Sequence, residues 1–347
     1  MTARRPPRAR PTLEEVAKHA GVGRGTASRV VNGSPAVSAQ ARHAVEKAIS
    51  ELGYVPNQAA RSLVTHRTDS VALVVSESEE RVFTEPFFAQ IIRGVSATLT
   101  TTPLTLWLAM VQTPAQRDQV TQHLTSQHVD GVLLLSLHDD DPLPGRLLER
   151  GLPAVRAGRS AAILRDGTIP LSYVDVDNIA GAYTAVAHLA GLGRRTVATI
   201  GGPRDMGVGV ARLEGYRRAV AEFGLVRDDN LIAYGDFSEQ AGAHALRQLL
   251  AARPDMDAVF AASDLMAAGA IRALRQAGRR IPGDVAIVGF DDSTIATQTD
   301  PPLTTVHQPV EEMGRRMAQL LVAQIGDASL GPTAVLLDTA IVRRESA

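Results

Sequence analysis

The sequence predicts two fold classes in one chain: an N-terminal all-α helix-turn-helix domain, then an α/β core of two lobes built on doubly wound parallel sheets. Three observations predict this. Charge divides sharply along the chain, capped helical patterns fill residues 12–53, and from residue 70 onward short β-rich apolar runs alternate with helical stretches.

The 347-residue chain is nearly neutral, at −1, yet residues 1–67 carry 11 Lys and Arg against four acids, a net +7. The remainder holds 25 basic and 33 acidic side chains, a net −8. A basic head on an acidic body reads as a polyanion-binding module joined to a second function. Cysteine is absent, which excludes disulfides, thiol nucleophiles and cysteine-ligated zinc. No apolar stretch approaches the roughly 18 residues of a membrane span, and no apolar signal core follows the basic N-terminus. The expectation is therefore a cytoplasmic, nucleoid-associated protein with no membrane partner.

In the head, Thr12-Leu13-Glu14-Glu15 forms a capping box, and Leu13, Val16, Ala17 and Ala20 follow at helical spacing up to Gly21. After a short turn, residues 23–33 place Ala27, Val30 and Val31 inward and Arg24, Thr26, Ser28 and Arg29 outward. A third helix over 38–52 carries Ala41, Val45, Ala48, Ile49 and Leu52 and stops at Gly53. The second helix of such a unit enters the major groove, where each base pair shows a distinct donor and acceptor pattern. Arg24 is placed to fork onto guanine, while Ser28, Arg29 and Asn32 suit phosphate or mixed contacts. Gly23 and Gly25 weaken the helix by about 1 kcal/mol each but admit close backbone approach.

The segments Thr12–Ala17, Thr26–Asn32 and Leu52–Leu63 together resemble the lac repressor family of bacterial regulators, and the resemblance continues to the end of the chain. It implies that the Pro56-Asn57 pair opens a short hinge helix that pairs with a second copy across the minor groove. Asn57 would be its cap and Leu63 an apolar wedge that kinks the duplex. The DNA-facing set is then Thr12, Leu13, Gly23, Arg24, Gly25, Thr26, Ser28, Arg29, Asn32, Tyr54, Asn57, Ala60 and Leu63. The implied division is a reading domain over 1–56, a hinge and linker over 57–69, and a periplasmic-binding-protein-like core over 70–347. Within that core, lobe 1 is expected over 70–174 and 309–325, and lobe 2 over 177–304 and 330–347.

In the body, the alternation runs through 71–75, 91–99, 104–110, 120–127, 132–135, Val155, 173–176, 179–192 and 197–200. It continues with 212–223, 231–234, 241–250, 258–260, 265–277 and 285–288, then a helix over 310–325. Ligands of such folds bind at the carboxyl ends of strands. Polar or aromatic residues in that position are Arg212, Phe237, Ser263, Asp264, Asp291, Asp292 and, more weakly, Arg159. By resemblance, Arg212 and Asp291 bond the hydroxyls of a small effector, Phe237 stacks on its face, and Phe87 and Phe88 supply the first lobe's aromatic position. A pyranose suits that set, with vicinal hydroxyls for a guanidinium and a carboxylate and a C–H face for a ring. Phe237 also suits a core position, Asp264 and Asp292 also suit helix caps, and Asp177-Asn178 reads as a cap rather than a ligand pair.

Ser263 departs from the asparagine that often precedes the aspartate in sugar-binding members. Residues 21–26 and 83–88 look similar to cello-oligosaccharide-responsive regulators of actinobacterial type, which points to a β-glucoside or related oligosaccharide. A nucleobase-like corepressor stacked on Phe88 is the alternative ligand, and a free-standing sugar receptor the alternative role. Gly207-Val208-Gly209 invites a phosphate-binding reading, but the third glycine of the dinucleotide pattern and any Walker lysine are missing. No nucleophile elbow is present, and the nine histidines lack metal-ligand spacing. The chain is therefore expected to be no enzyme and to need no cofactor. A palindromic operator calls for a homodimer, and no apolar heptads follow the last strand to build a tetramer.

Overall fold

The computed structural model describes residues 11–55 and 67–347. They fall into two compact units that divide between Thr68 and Asp69.

The first unit holds α1 (Leu13–His19), α2 (Arg24–Val31) and α3 (Ala39–Leu52). The capping box is formed: Thr12 Oγ1 accepts from the Glu15 amide at 3.2 Å, and the Glu15 carboxylate accepts from the Thr12 amide at 2.7 Å. Ser38 caps α3, and Gly53 ends it in the left-handed region at φ +63°, where a side chain would be strained. Val16, Ala17, Ala27, Val30, Val45 and Ala48 are buried together, so each helix contributes two residues to one small core.

The second unit opens with β1 (Ser70–Val75), α4 (Glu79–Thr84), α5 (Pro86–Leu99), β2 (Thr105–Met110), α6 (Pro114–His123), β3 (Gly131–Leu135), α7 (Leu143–Glu149), β4 (Ala154–Ala157), α8 (Ala161–Asp166) and β5 (Ser172–Val176). The chain then passes to α9 (Asn178–Gly191), β6 (Val197–Gly201), α10 (Gly207–Glu222), β7 (Ile232–Tyr234), α11 (Glu239–Ala252), β8 (Ala258–Ala261), α12 (Asp264–Gln276), β9 (Ala286–Asp291), α13 (Thr294–Gln298) and β10 (Thr304–His307). It returns through α14 (Val310–Gly326) and ends in β11 (Ala334–Leu337) and β12 (Ala340–Val342).

Two six-stranded sheets result, ordered β11-β5-β4-β3-β1-β2 and β12-β10-β9-β8-β6-β7. Every pairing is parallel except β10 with β12. Val71 to Val75 and Val132 to Leu135 are almost wholly buried, because helices cover both faces and leave no solvated side to alternate with. The α14 side chains Val310, Met313, Met317 and Leu321 pack into the core of the first lobe.

The expectation that 330–347 lies wholly in lobe 2 is corrected. Strand β11 joins the first sheet, with Ala334 opposite Tyr173 and Leu337 opposite Val176, and only β12 belongs to the second. Without β11 the ladder groups of β5 would form an open edge. The third crossing between lobes therefore falls at 338–339.

Candidate functional site

Between the lobes lies a cavity lined by the carboxyl ends of β3, β4 and β5 on one side and of β8 and β9, with the loop after β7, on the other. Phe87, Phe88, Arg159, Arg212, Phe237, Ser263 and Asp291 all line it. Asp264 does not. Its side chain is fully buried and accepts from the Ser293 amide at 2.7 Å, the Ser293 hydroxyl at 3.1 Å and the Thr305 hydroxyl at 2.5 Å. It ties the start of α12 to β10 and to the loop after β9, behind the cavity wall. Burial, reinforced by the charge of Asp291, holds its carboxyl well above the usual carboxylate range. Asp292 likewise serves structure, pairing with Arg344 at 2.6 Å and His307 at 3.1 Å.

Arg212 is the polar centre. It is 4% exposed, its guanidinium lies 3.6 Å from the Phe290 ring centroid, and its Nη1 donates to the Ala262 carbonyl at 2.5 Å and meets Asp291 Oδ1 at 3.4 Å. Gln308 Nε2 donates to the same Asp291 oxygen at 2.7 Å. Burial raises the Asp291 carboxyl to about 6, against the pull of Arg212. Asn178 Oδ1 accepts from Arg212 Nε, and its Nδ2 donates to Asp175 Oδ1 at 2.9 Å. Asp175 also holds Arg159 Nε at 2.7 Å. Charged and amide groups thus run unbroken from Arg159 on lobe 1 to Gln308 at the second crossing.

Asp177 and Asn178 divide their roles. Asp177 caps α9 by accepting from the Ala180 amide at 3.0 Å, as the sequence suggests, whereas Asn178 lines the cavity. Ser263 lines it too, but its hydroxyl accepts from the Met266 amide as the α12 cap. Lining residues that the sequence reading does not single out for the site are Arg81, Glu85, Ser136, Arg156, Asn178 and Gln308, although Ser136 and Gln308 directly follow β3 and β10. Arg81 and Glu85 come from a helical turn, where an ion pair gives no directional signal in sequence. Gln308 sits at a crossing between lobes, and Arg156 inside a strand.

Aromatic groups face this polar set. Phe87 and Phe88 meet edge to face with centroids 5.4 Å apart, and the Arg81 guanidinium sits 5.9 Å from the Phe237 centroid across the lobes. Gly207 and Gly209 serve packing: a Cβ at Gly207 would meet the Arg159 carbonyl oxygen at 1.8 Å, and one at Gly209 the Pro203 carbonyl at 2.1 Å. The first is a contact between lobes. His138 Nδ1 lies 2.7 Å from Asp205 Oδ2, and the Asp139 amide donates to the Asp205 carbonyl at 2.8 Å, so the lobes also touch at the cavity rim.

In the head, Thr12, Gly23, Arg24, Gly25, Arg29 and Asn32 are exposed, and Thr26 and Ser28 half-buried, on and around α2. Gly23 caps α2 without a side-chain bond. Arg24 Nη1 lies 3.2 Å from Glu14 in a well-exposed pair, and Asn32 Nδ2 donates to Ser28 Oγ at 3.4 Å. Leu13 and Tyr54 are partly buried against the three-helix core. Asn57, Ala60 and Leu63 lie outside the described residues.

Residues 12–57 match the family described as bacterial regulatory proteins, lacI family, and residues 186–347 match the periplasmic binding protein-like domain. The chain is 52% identical over 339 residues to the HTH-type transcriptional regulator CelR of Thermobifida fusca, covering 98% of this chain and 99% of that one. A solved CelR–cellobiose complex superposes with a TM-score of 0.78 at 50% identity, over 97% of this chain and 100% of the other. The lac repressor dimer bound to operator and the anti-inducer ONPF superposes with a TM-score of 0.82 at 26% identity, over 97% and 99%. These relatives are regulators and not enzymes. The chain belongs to the lacI family of bacterial regulatory proteins.

Proposed function

We propose that this protein is a homodimeric repressor that works in the cytoplasm on the nucleoid. It holds a palindromic operator through its two α2 helices and releases it when a β-linked glucose disaccharide, cellobiose or a close relative, closes the cleft. The observation that carries the sugar reading is the Arg212–Asp291 pair, backed by Asn178 and Gln308 and faced by Phe87, Phe88 and Phe237. A guanidinium and a carboxylate held side by side suit vicinal hydroxyls, and the aromatic wall suits the apolar face of a pyranose. The CelR–cellobiose likeness supports the same ligand class.

For release, the sugar must bind the state that reads DNA poorly more tightly than the state that reads it well, and DNA must weaken the sugar by the same factor. The test combines thermal shift with mobility shift on inverted-repeat duplexes, using cellobiose, glucose and ribose. Cellobiose should raise Tm and release the duplex, and Arg212→Ala should abolish both responses while leaving duplex binding intact. A protein that ignores every sugar sinks the effector reading. One that prefers no inverted repeat over scrambled competitor sinks the repressor reading.

A further inference from the structure

Arg156 is the one charged side chain lining the cavity that has no counterpart among the described residues. Arg81 is held by Glu77 and Glu85, Arg159 by Asp175, and Arg212 by Asp291. Arg156 makes no hydrogen bond and no ion pair with a described residue, and its Nε is buried without a partner. The carboxylates that act on it through space are engaged elsewhere. Asp141 pairs with Arg117, Asp139 accepts from the Ala161 amide, and Asp175 holds Arg159. Arg159 adds a second orphan, because its Nη2 is also buried with no acceptor.

The position makes this more telling. Arg156 lies on β4, a strand inside the first sheet, opposite Leu134 on one side and Tyr173 on the other. Such a strand is expected to be apolar throughout, and Arg156 is a half-buried cation whose buried Nε has no acceptor, which is costly to fold around. Its neighbour Val155 is fully buried core. A guanidinium beside a cavity, with a buried Nε that no described residue satisfies, is a group waiting for an acceptor.

We infer that Arg156, with Arg159 Nη2, forms a second subsite at the first-lobe end of the cavity that donates to hydroxyl and ring oxygens of a second sugar unit, so that the protein selects a neutral disaccharide over a monosaccharide. This rests on the sugar reading above and assigns the length discrimination to Arg156. The Arg212–Asp291 end then takes the first ring.

Titration calorimetry on the full-length protein with cellobiose, glucose and cellobionate, in wild type, Arg156→Met and Arg156→Lys, tests it. Arg156→Met should weaken cellobiose about tenfold or more, the loss expected for hydrogen bonds to a charged group, and leave glucose unchanged. Its ligand-free Tm should hold or rise, because a half-buried cation whose Nε lacks a partner has become an apolar chain of similar length. Arg156→Lys should recover part of the affinity, having charge without the fork. Unchanged cellobiose affinity in Arg156→Met, or an equal loss for glucose with a lowered Tm, overturns the inference. So does wild type that prefers cellobionate and loses that preference in Arg156→Met, since the subsite would then be for an anion. A wild type that binds neither neutral sugar fails at the earlier step, before any variant is compared.

Discussion

Asn178 Oδ1 accepts a 2.8 Å hydrogen bond from Arg212 Nε, and this contact joins two partly buried ion pairs, one on each lobe, into a single network. An amide is suited to the place. It must donate to Asp175 and accept from Arg212 at once, which neither a carboxylate nor an alkyl group can do. Asn178 stands where the chain first crosses between lobes, so a change in the separation of the lobes must also move the groups that aim Arg212.

Asn178→Ala should therefore weaken cellobiose about tenfold by calorimetry, the cost of unpairing buried charged donors, while operator binding in a mobility shift stays as in wild type. Asn178→Asp should be worse, since it sets a carboxylate against Asp175. An Asn178→Ala protein with wild-type sugar affinity would show that the network does not aim Arg212.

Asp264 should behave as a structural residue. Asp264→Ala leaves the Ser293 amide and the Thr305 hydroxyl without their acceptor and should cost about 2–4 kcal/mol in a urea titration. Asp264→Asn, which keeps a carbonyl oxygen, should cost less. Both should bind cellobiose normally at temperatures where they are folded. A selective loss of sugar with intact stability would return Asp264 to the cavity.

Much of this was legible in sequence, because caps, apolar spacing and strand ends are local signals. Thr12 with Glu15, the Val16 and Ala17 core positions, and Arg212, Phe237 and Asp291 beside their strands all follow from short windows. What was not legible depends on direction across the fold. An aspartate at a helix start reads the same whether it faces a ligand or the sheet behind, so the sequence leaves Asp264 open between the two and the fold decides for the sheet. Asp177 and Asn178 share one capping signature although only the first caps. The four residues of β11 fit either sheet by pattern, and only the open edge of β5 decides between them.

The carboxyl of Asp291 sits at about 6, raised by burial and by Glu85 and only partly offset by Arg212. An ordinary aspartate titrates near 3.9, so from about pH 4 to 6 the folded state holds more proton than the unfolded chain. This contribution to stability is full below that window and is lost as pH rises through it. Sugar binding should run the opposite way, since the ionised carboxylate is the stronger acceptor for a sugar hydroxyl: cellobiose affinity should strengthen from about pH 5 to 7 and then level. Asp291→Asn should flatten the binding profile. A wild-type profile that is already flat would mean that the sugar does not use this carboxylate.

In the head, Arg24 pairs with Glu14 alone among the described residues, and both side chains are about 70% exposed, so the pair adds little to stability. Arg24→Ala should leave the melting of the head unchanged. It should relax preference at one base pair per half-site, by the roughly 1–3 kcal/mol that a forked contact discriminates. Affinity measured across a set of single-base operator variants reads this directly. Uniform weakening on every duplex would make Arg24 a phosphate contact.

Gly207 tests whether the seen approach of the lobes is the sugar-bound one. It opens α10, and a Cβ there would overlap the Arg159 carbonyl of the other lobe at 1.8 Å, too close for small side-chain shifts to relieve. Gly207→Ala therefore forces the lobes apart at the point where Asp205 bridges to His138 and Asp139. Overpacking of this kind costs about 1–3 kcal/mol. Because only the closed arrangement meets it, cellobiose should weaken by about 10- to 100-fold. The open state carries no such penalty, so operator binding should persist and resist release by sugar in a mobility shift. Wild-type sugar affinity in Gly207→Ala would mean that the lobes bind their ligand without this contact.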